Sequence, residues 1–284
     1  MRFYIVIPAH NEAANIESCI RSLALQSLVP KKIIIVDDNS TDQTSTIVDI
    51  LCKEFSFVKL IKTTSSNQHL PGEKIINAFN TGLKQLDDSF DVICKFDADL
   101  IFPKNYLETI ASHYKNDPKL GMASGHCYIE KNGQWVYENL TSKDHTRGPL
   151  KSYRKACFED IGGLQNSMGW DTVDELVALY FGWSFRTDST LRVKHLKPTG
   201  STYSKAAKYL QGMALYKMRN GFILSLLSAI KLAVNKKKIR LWFDYMIGYF
   251  KAWKNRVPFI VTQSQGAFIR RYRWKKIYKK LIGI

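Results

Sequence analysis

The feature that most constrains this chain is the alternation, as far as residue 96, of short β-branched runs with amphipathic helical segments. Residues 3–7, 32–36, 57–61 and 92–96 are apolar on both of their alternating faces, as strands buried in a parallel sheet are. Between them, residues 11–26, 41–55 and 73–86 carry apolar side chains at i, i+3, i+4 spacing and are expected as helices. Ser40-x-x-Gln43 has the form of a capping box at the start of the second helix. Parallel strands need crossover connections, and these are right-handed. The order therefore predicts an α/β fold, a doubly wound, mostly parallel sheet with helices on both faces.

Charge divides the chain in two. Residues 205–284 hold 19 Lys and Arg against a single acid, Asp244, whereas residues 1–204 hold 23 basic and 24 acidic residues. The overall charge of +17 thus belongs to a tail and not to the body. Two domains are expected: residues 1–203 as the sheet domain and residues 204–284 as a basic, amphipathic helical extension. Five cysteines without a C-x-x-C pair point to neither a disulfide framework nor a zinc cluster, and a cytoplasmic setting is expected. No signal peptide is expected at the start. The longest uncharged apolar run of the tail, residues 221–230, falls short of the roughly 20 residues that span a bilayer.

In doubly wound sheets, ligands bind outside the carboxyl ends of the strands. Three polar clusters lie there: Pro8-Ala9-His10-Asn11-Glu12, Asp37-Asp38-Asn39-Ser40-Thr41-Asp42, and Asp97-Ala98-Asp99. Carboxylates gathered on one edge repel one another unless a cation, a donor-rich ligand or ordered hydrogen bonds compensate. Asp97-Ala98-Asp99 offers hard oxygen ligands of the kind that suit Mg²⁺ or Mn²⁺ holding phosphate oxygens. The plainer alternative is an acidic turn, and for Asp37, Asp42, Asn11 and Glu12 it is helix capping. Asp38 is the candidate acceptor for a base imino proton.

Taken together, Ile7 to Glu12, Val36 to Asp42 and Asp97-Ala98-Asp99 resemble the amino-terminal half of glycosyltransferase family 2, the inverting, nucleotide-sugar-dependent transferases of GT-A fold. The resemblance continues through Lys74 and Asn80-Thr81-Gly82 to Ile161-Gly162-Gly163-Leu164 and the helix after Trp170. It implies that Pro8, Ala9 and Glu12 border the nucleoside, that Asp38 reads the base, that Lys74 belongs to the donor-binding segment, that Asp97 lies at the ribose and that Asp99 binds the metal. The family's Glu-Asp pair, which supplies the general base, corresponds here to Trp170-Asp171, so Asp171 aligns as base. Asp174 shares its helical face, and Glu175 follows, so both stay open beside it; capping of the helix is the alternative role for Asp171. His195 is a further candidate for the metal, weighed against a structural role. Arg147, Lys151 and Arg154 are candidate phosphate partners, and residues 63–72 and 139–149 are candidate lids.

The expected activity is a metal-dependent transfer of one sugar from a nucleotide sugar, most simply a UDP-linked one, to a saccharide or lipid-linked acceptor in cell-surface glycan synthesis. Absence of a Gln-x-x-Arg-Trp motif favours one transfer over polymer synthesis. The alternatives are a catalytically silent membrane-surface scaffold with the same fold, or a nucleotidyltransferase. In the tail, Trp274, Ile277, Tyr278 and Leu281 follow helical spacing among Arg270, Arg271, Arg273, Lys275, Lys276, Lys279 and Lys280. That composition suits an interfacial helix on anionic lipid, and a peripheral place on the cytoplasmic membrane face is expected. Packing of part of the tail against the body competes with this reading. No nucleic-acid module accompanies the cations, and no nucleic-acid partner is expected.

Overall fold

The computed structural model describes residues 1–64, 72–140, 142–198 and 208–283. Two compact units result, one of residues 1–68, 74–163 and 182–201, the other of residues 69–73, 164–181 and 202–284. The expected boundary between residues 203 and 204 falls outside the described residues, and the second unit also takes residues 164–181 from mid-chain.

The first unit is built on a nine-stranded sheet. Its first half is parallel, in the order β3 (Val58–Thr63), β2 (Lys32–Asp38), β1 (Phe3–Ala9), β4 (Val92–Phe96). Beyond β4 the sheet turns mixed: β8 (Leu150–Arg154) runs antiparallel to β4 and to β6 (Leu120–Lys131). β9 (Ser184–His195) is parallel to β6, and the short β5 (Leu100–Ile101) closes the edge antiparallel to β9. β7 (Gln134–Tyr137) pairs with β6 as a hairpin.

Period-two alternation within the strands assigns each face its helices. Phe3, Ile5 and Ile7 share a core with Ile16, Cys19, Ile20 and Leu23 of α1 (Ile16–Ala24), Val48 and Leu51 of α2 (Thr44–Glu54), and Tyr106, Leu107 and Ile110 of α4 (Tyr106–Asn116). The opposite face meets α3 (Glu73–Leu83) and α5 (Lys155–Asp160). There α3 lies so close that a Cβ on Gly82 would stand 2.6 Å from Val6 and 2.8 Å from Val36. The glycine of Asn80-Thr81-Gly82 is thus a packing residue, since any side chain would push the helix off the sheet. Phe158 of α5 adds edge-on contacts to Phe79 and Tyr153.

Two local expectations change. The first two helices start later than their apolar spacing suggested, because residues 11–15 and 39–43 are used in loop contacts. The capping box of Ser40 and Gln43 does not form: Ser40 Oγ accepts from the Asn11 amide at 2.9 Å, and the α2 cap has no side-chain hydrogen bond. Asp42 serves this helix start, accepting from the Thr44 amide at 3.0 Å and the Ala13 amide at 3.0 Å.

The second unit is helical: α6 (Trp170–Tyr180), α7 (Leu210–Lys217), α8 (Phe222–Asn235), α9 (Arg240–Lys254) and α10 (Gln263–Leu281). α10 opens with a complete capping box of Thr262 and Gln265. Arg219 ties the unit together, lying 3.7 Å over the Phe259 ring and donating to the Val261 carbonyl at 3.0 Å. The lone tail acid, Asp244, is buried and paired with Lys208 at 3.2 Å. Among the described residues no helix is long and apolar enough to cross a membrane.

All five cysteines are free, and Cys52 alone is not fully buried. Burial raises the thiol pKa values of Cys19, Cys94 and Cys127, which withholds the reactive thiolate. Titration of the native protein with a thiol reagent at pH 8 is therefore expected to label Cys52 first. The remaining thiols react only on unfolding; a second fast equivalent would contradict this packing.

Candidate active site

Parallel pairing brings the ends of β1, β2 and β4 to one edge, so Pro8 and Ala9, Asp37 and Asp38, and the turn Asp97-Ala98-Asp99 gather there as the sequence predicts. Hydrogen bonds fix the turns that carry them. Asn11, at a left-handed φ of 54°, accepts from the Thr41 amide at 2.8 Å and so locks the loop after β1 to the loop after β2. The Glu12 amide donates to Thr44 Oγ1 at 2.8 Å, and His10 Nδ1 donates to the Asp38 carbonyl at 2.7 Å. Asp37 is spent on structure, accepting from the Ser40 amide at 3.1 Å and from the Ser45 hydroxyl. Asp38 is buried.

The Glu12 carboxylate accepts from Asn15 Nδ2 at 3.0 Å and from Lys197 Nζ at 2.7 Å. The carboxylate thus braces the loop after β1 and does not cap α1, whose start has no side-chain cap hydrogen bond. Lys74 stands half-buried in the first turn of α3. Asp97 is salt-bridged to Lys95, whose ammonium is buried beneath it and also donates to the Gly148 carbonyl at 3.3 Å. A buried cation next to the pair of aspartates offsets part of their mutual repulsion.

Strand register explains how His195 arrives at Asp99 although 96 positions separate them. Leu100 faces His195 across the β5–β9 ladder, and the Leu196 amide donates to the Asp99 carbonyl at 2.9 Å. The result is His195 Nε2 at 3.4 Å from Asp99 Oδ2. On its other side, His195 Nδ1 lies 2.9 Å from Glu138 Oε2. Glu138 is brought there by the β6–β7 hairpin, its amide donating to the Cys127 carbonyl at 2.9 Å, while Cys127 sits opposite Val193 in β9. Burial opposes a charge on His195, but the hydrogen bonds with Asp99 and Glu138 outweigh it and push its pKa up to about 9. With no cation bound, the imidazolium serves as the counter-charge between two buried carboxylates; a divalent cation on the Asp99 side would take the place of the Nε2 proton.

The donors present fit a divalent cation on the Asp99 side. Two ligand bonds of about 2.1 Å at right angles place their donor atoms about 3 Å apart, close to the separation of Asp99 Oδ2 and His195 Nε2. Glu138 would then hold Nδ1–H and orient the ring, the usual arrangement behind a ligating histidine. A second grouping, Cys127, Glu138 and His195, also brings its ligand atoms within 4.8 Å of one another. Its chemistry is less suited to a cation: burial pushes the Cys127 thiol up to about 12, and Arg147 Nη1 already occupies Glu138 at 2.5 Å with a positive charge.

Glu138 and Lys95 escaped the sequence reading. Neither stands in a motif, and only the hairpin and the buried side of β4 give them their places. Of the candidate phosphate partners, Arg154 is a correction. Its guanidinium donates to the carbonyls of Leu120, Tyr114 and Asp117 at 2.9, 2.6 and 2.9 Å, so it fastens the end of α4. Arg147 and Lys151 are buried. The candidate lid of residues 63–72 lies mostly outside the described residues.

In the second unit, Gly169 at φ 76° turns the chain into α6, whose first turn carries Asp171. Asp171 is half-buried, whereas Asp174 and Glu175 are buried, and Asp174 accepts from the Glu175 amide at 2.6 Å.

A doubly wound sheet with carboxylates and a histidine grouped at its carboxyl edge places these groups where α/β proteins of this class bind their ligands. Residues 4–165 match the family model described as glycosyl transferase family 2, and the chain belongs to that family. A probable glycosyltransferase of Bacillus subtilis (strain 168), YdaM, is 32% identical over 124 residues, covering 43% of this chain and 28% of the relative. The poly-beta-1,6-N-acetyl-D-glucosamine synthase of Staphylococcus aureus (strain COL) is 29% identical over 122 residues, 42% of this chain and 27% of the relative. The matches thus span little more than a quarter of these relatives. Among solved structures, S. aureus TarS in complex with UDP-GlcNAc superposes with a TM-score of 0.58 at 20% identity, covering 88% of this chain and 73% of that one. The mannosyltransferase PcManGT of Pyrobaculum calidifontis, in complex with GDP-Man and Mn²⁺, gives 0.60 at 16% identity, covering 98% and 81%. The fold is the GT-A fold of these glycosyltransferases, with a helical carboxy-terminal extension.

Proposed function

We propose that this glycosyltransferase is an inverting enzyme that moves a single sugar from a UDP-linked donor to a saccharide or lipid-linked acceptor in cell-surface glycan synthesis. The observation that supports the reading most directly is the facing pair of Asp99 and His195 at the end of β4 and β9, 3.4 Å apart and oriented from behind by Glu138. Mn²⁺ or Mg²⁺ held by these two side chains would neutralise charge on the leaving diphosphate. Pro8, Ala9 and Glu12 border the nucleoside in this reading, Asp38 accepts from the base, and Asp97 takes the ribose. Lys74 belongs to the same donor-binding segment.

The reaction then needs a base, because an acceptor hydroxyl is a weak nucleophile while it keeps its proton. Asp171 takes that proton as the acceptor oxygen bonds to the anomeric carbon. The bond from that carbon to the nucleoside diphosphate breaks on the opposite side, which inverts the configuration. Asp174 and Glu175 are the alternative bases; both are buried, whereas Asp171 is half-buried and so more accessible to an acceptor.

Calorimetric titration of the protein with UDP, GDP, dTDP and CDP, each with Mn²⁺ and with EDTA, tests the donor assignment. Metal-dependent binding of UDP alone is expected; no binding of any nucleotide would overturn the assignment. Asp171→Asn is expected to lower turnover by about 10²- to 10⁴-fold, the usual contribution of a general base, with donor affinity little changed. An unchanged rate would move the base to Asp174 or Glu175.

A further inference from the structure

Helices α8 and α9 are apolar on two faces, and the described residues cover only one of them. Within α8, Leu224, Ser225, Ala229 and Ala233 are buried, while Ile223, Leu227, Ile230 and Val234, at i, i+4, i+7 and i+11, stand exposed. Along α9 the same holds: Tyr245, Met246, Tyr249 and Ala252 are buried, and Ile239, Phe243, Ile247 and Phe250 form an outer stripe. The exposure is deep, 71% for Ile239, 63% for Val234, 59% for Ile223 and 55% for Phe243. Rings of Phe222 and Phe250, 5.8 Å apart and both exposed, bring the start of α8 against the end of the α9 stripe. Proteins rarely leave so large a contiguous apolar surface to water without a use for it.

Charge decides what covers it. Lys231, Lys236, Lys237, Lys238, Arg240, Lys251 and Lys254 are all exposed on the same two helices and the turn between them. Asp244, the single acid of residues 205–284, is buried against Lys208 and offers nothing to the surface. A second copy of this surface would bring like charges together, so self-association is disfavoured by the same cations. An anionic bilayer supplies both missing partners, acyl chain for the apolar stripes and phosphate headgroup for the rim.

We propose that the outer face of α8 and α9 docks the protein on an anionic lipid surface, with both helices lying in the plane of the interface. This places the main contact on the α8–α9 hairpin. The aromatic and basic positions of α10, which the sequence alone had singled out, become a secondary contact: Trp274, Tyr278 and Leu281 are exposed, but they form a single short stripe. The proposal concerns the second unit only and stands whether or not the donor-site reading holds, because its readout is vesicle binding and not sugar transfer.

Sedimentation of the full chain with phosphatidylcholine vesicles, with and without 30% phosphatidylglycerol, tests it. Strong binding to the anionic vesicles and weak binding to the neutral ones is expected. Replacing Ile223→Ser, Leu227→Ser, Phe243→Ser and Ile247→Ser together is expected to lower the partition coefficient at least about 30-fold. Because all four are exposed, the fold is retained, and circular dichroism checks that. A second variant, Lys236→Glu with Lys238→Glu, touches no apolar residue and is expected to cost at least about tenfold, more at low salt than at high. Trp274→Ser with Tyr278→Ser is expected to cost less than the four-residue change. Equal binding to neutral vesicles, a larger loss from the α10 variant, or no vesicle binding overturns the proposal. Light scattering that shows a dimer dissociated by the four-residue change would assign the face to a second copy instead.

Discussion

Asp99→Asn is expected to lower turnover by about 10³-fold, roughly 4 kcal/mol of transition-state stabilisation, and to abolish the effect of Mn²⁺ on nucleotide binding. The substitution preserves size and removes one negative oxygen. It leaves the Leu196 amide bonded to the residue 99 carbonyl and leaves Glu138 on His195 Nδ1, so the turn after β4 keeps its shape. Loss of one carboxylate from the pair around His195 is a real cost to folding, but His195 can release its proton and keep one partner. Thermal unfolding is therefore expected to shift by only a few degrees while activity collapses. Turnover within threefold of the unmodified enzyme would remove Asp99 from the donor site and with it the proposed metal chemistry.

The largest stability effect is expected where α7 crosses α9. Gly212 lies against the Tyr245 carbonyl and Gly248 against the Tyr209 carbonyl, each so close that a Cβ would penetrate main-chain atoms. In an isolated helix, glycine to alanine gains up to about 1 kcal/mol. Here the sign reverses, because neither backbone can withdraw without separating the two helices. Gly248→Ala is expected to cost about 3 kcal/mol or more, and Gly212→Ala a similar amount, with loss of the packing of Tyr216 on Tyr249. Gly133→Ala is the control: at φ 75° it carries backbone strain of about 1 kcal/mol but meets nothing within 4 Å. Urea unfolding followed by tyrosine and tryptophan fluorescence separates the cases. Gly248→Ala as mild as Gly133→Ala would mean that α7 and α9 do not cross at these glycines.

Much of this protein is written locally. The strands whose carboxyl ends carry Ala9, Asp38 and Asp97 were legible because a parallel strand must be apolar on both faces, and that pattern occurs four times. Of the tail helices only α10 was legible from spacing, and the cap of α2 was not legible at all. Ser40 and Gln43 have the letters of a capping box, yet the amide of Asn11, 29 positions away in a separation no motif records, donates to the Ser40 hydroxyl.

What the sequence by itself determined is the class of fold, the carboxylates at the strand ends and the concentration of charge in the tail, because each of these is a short-range pattern of residue types. Tertiary structure alone decided that His195 faces Asp99, that Glu138 stands behind it, that Arg154 fastens a helix end, and that the outer faces of α8 and α9 stay uncovered. Each of those depends on strand register or helix crossing, where one residue of slip moves a side chain to the opposite face, and no local pattern carries that information.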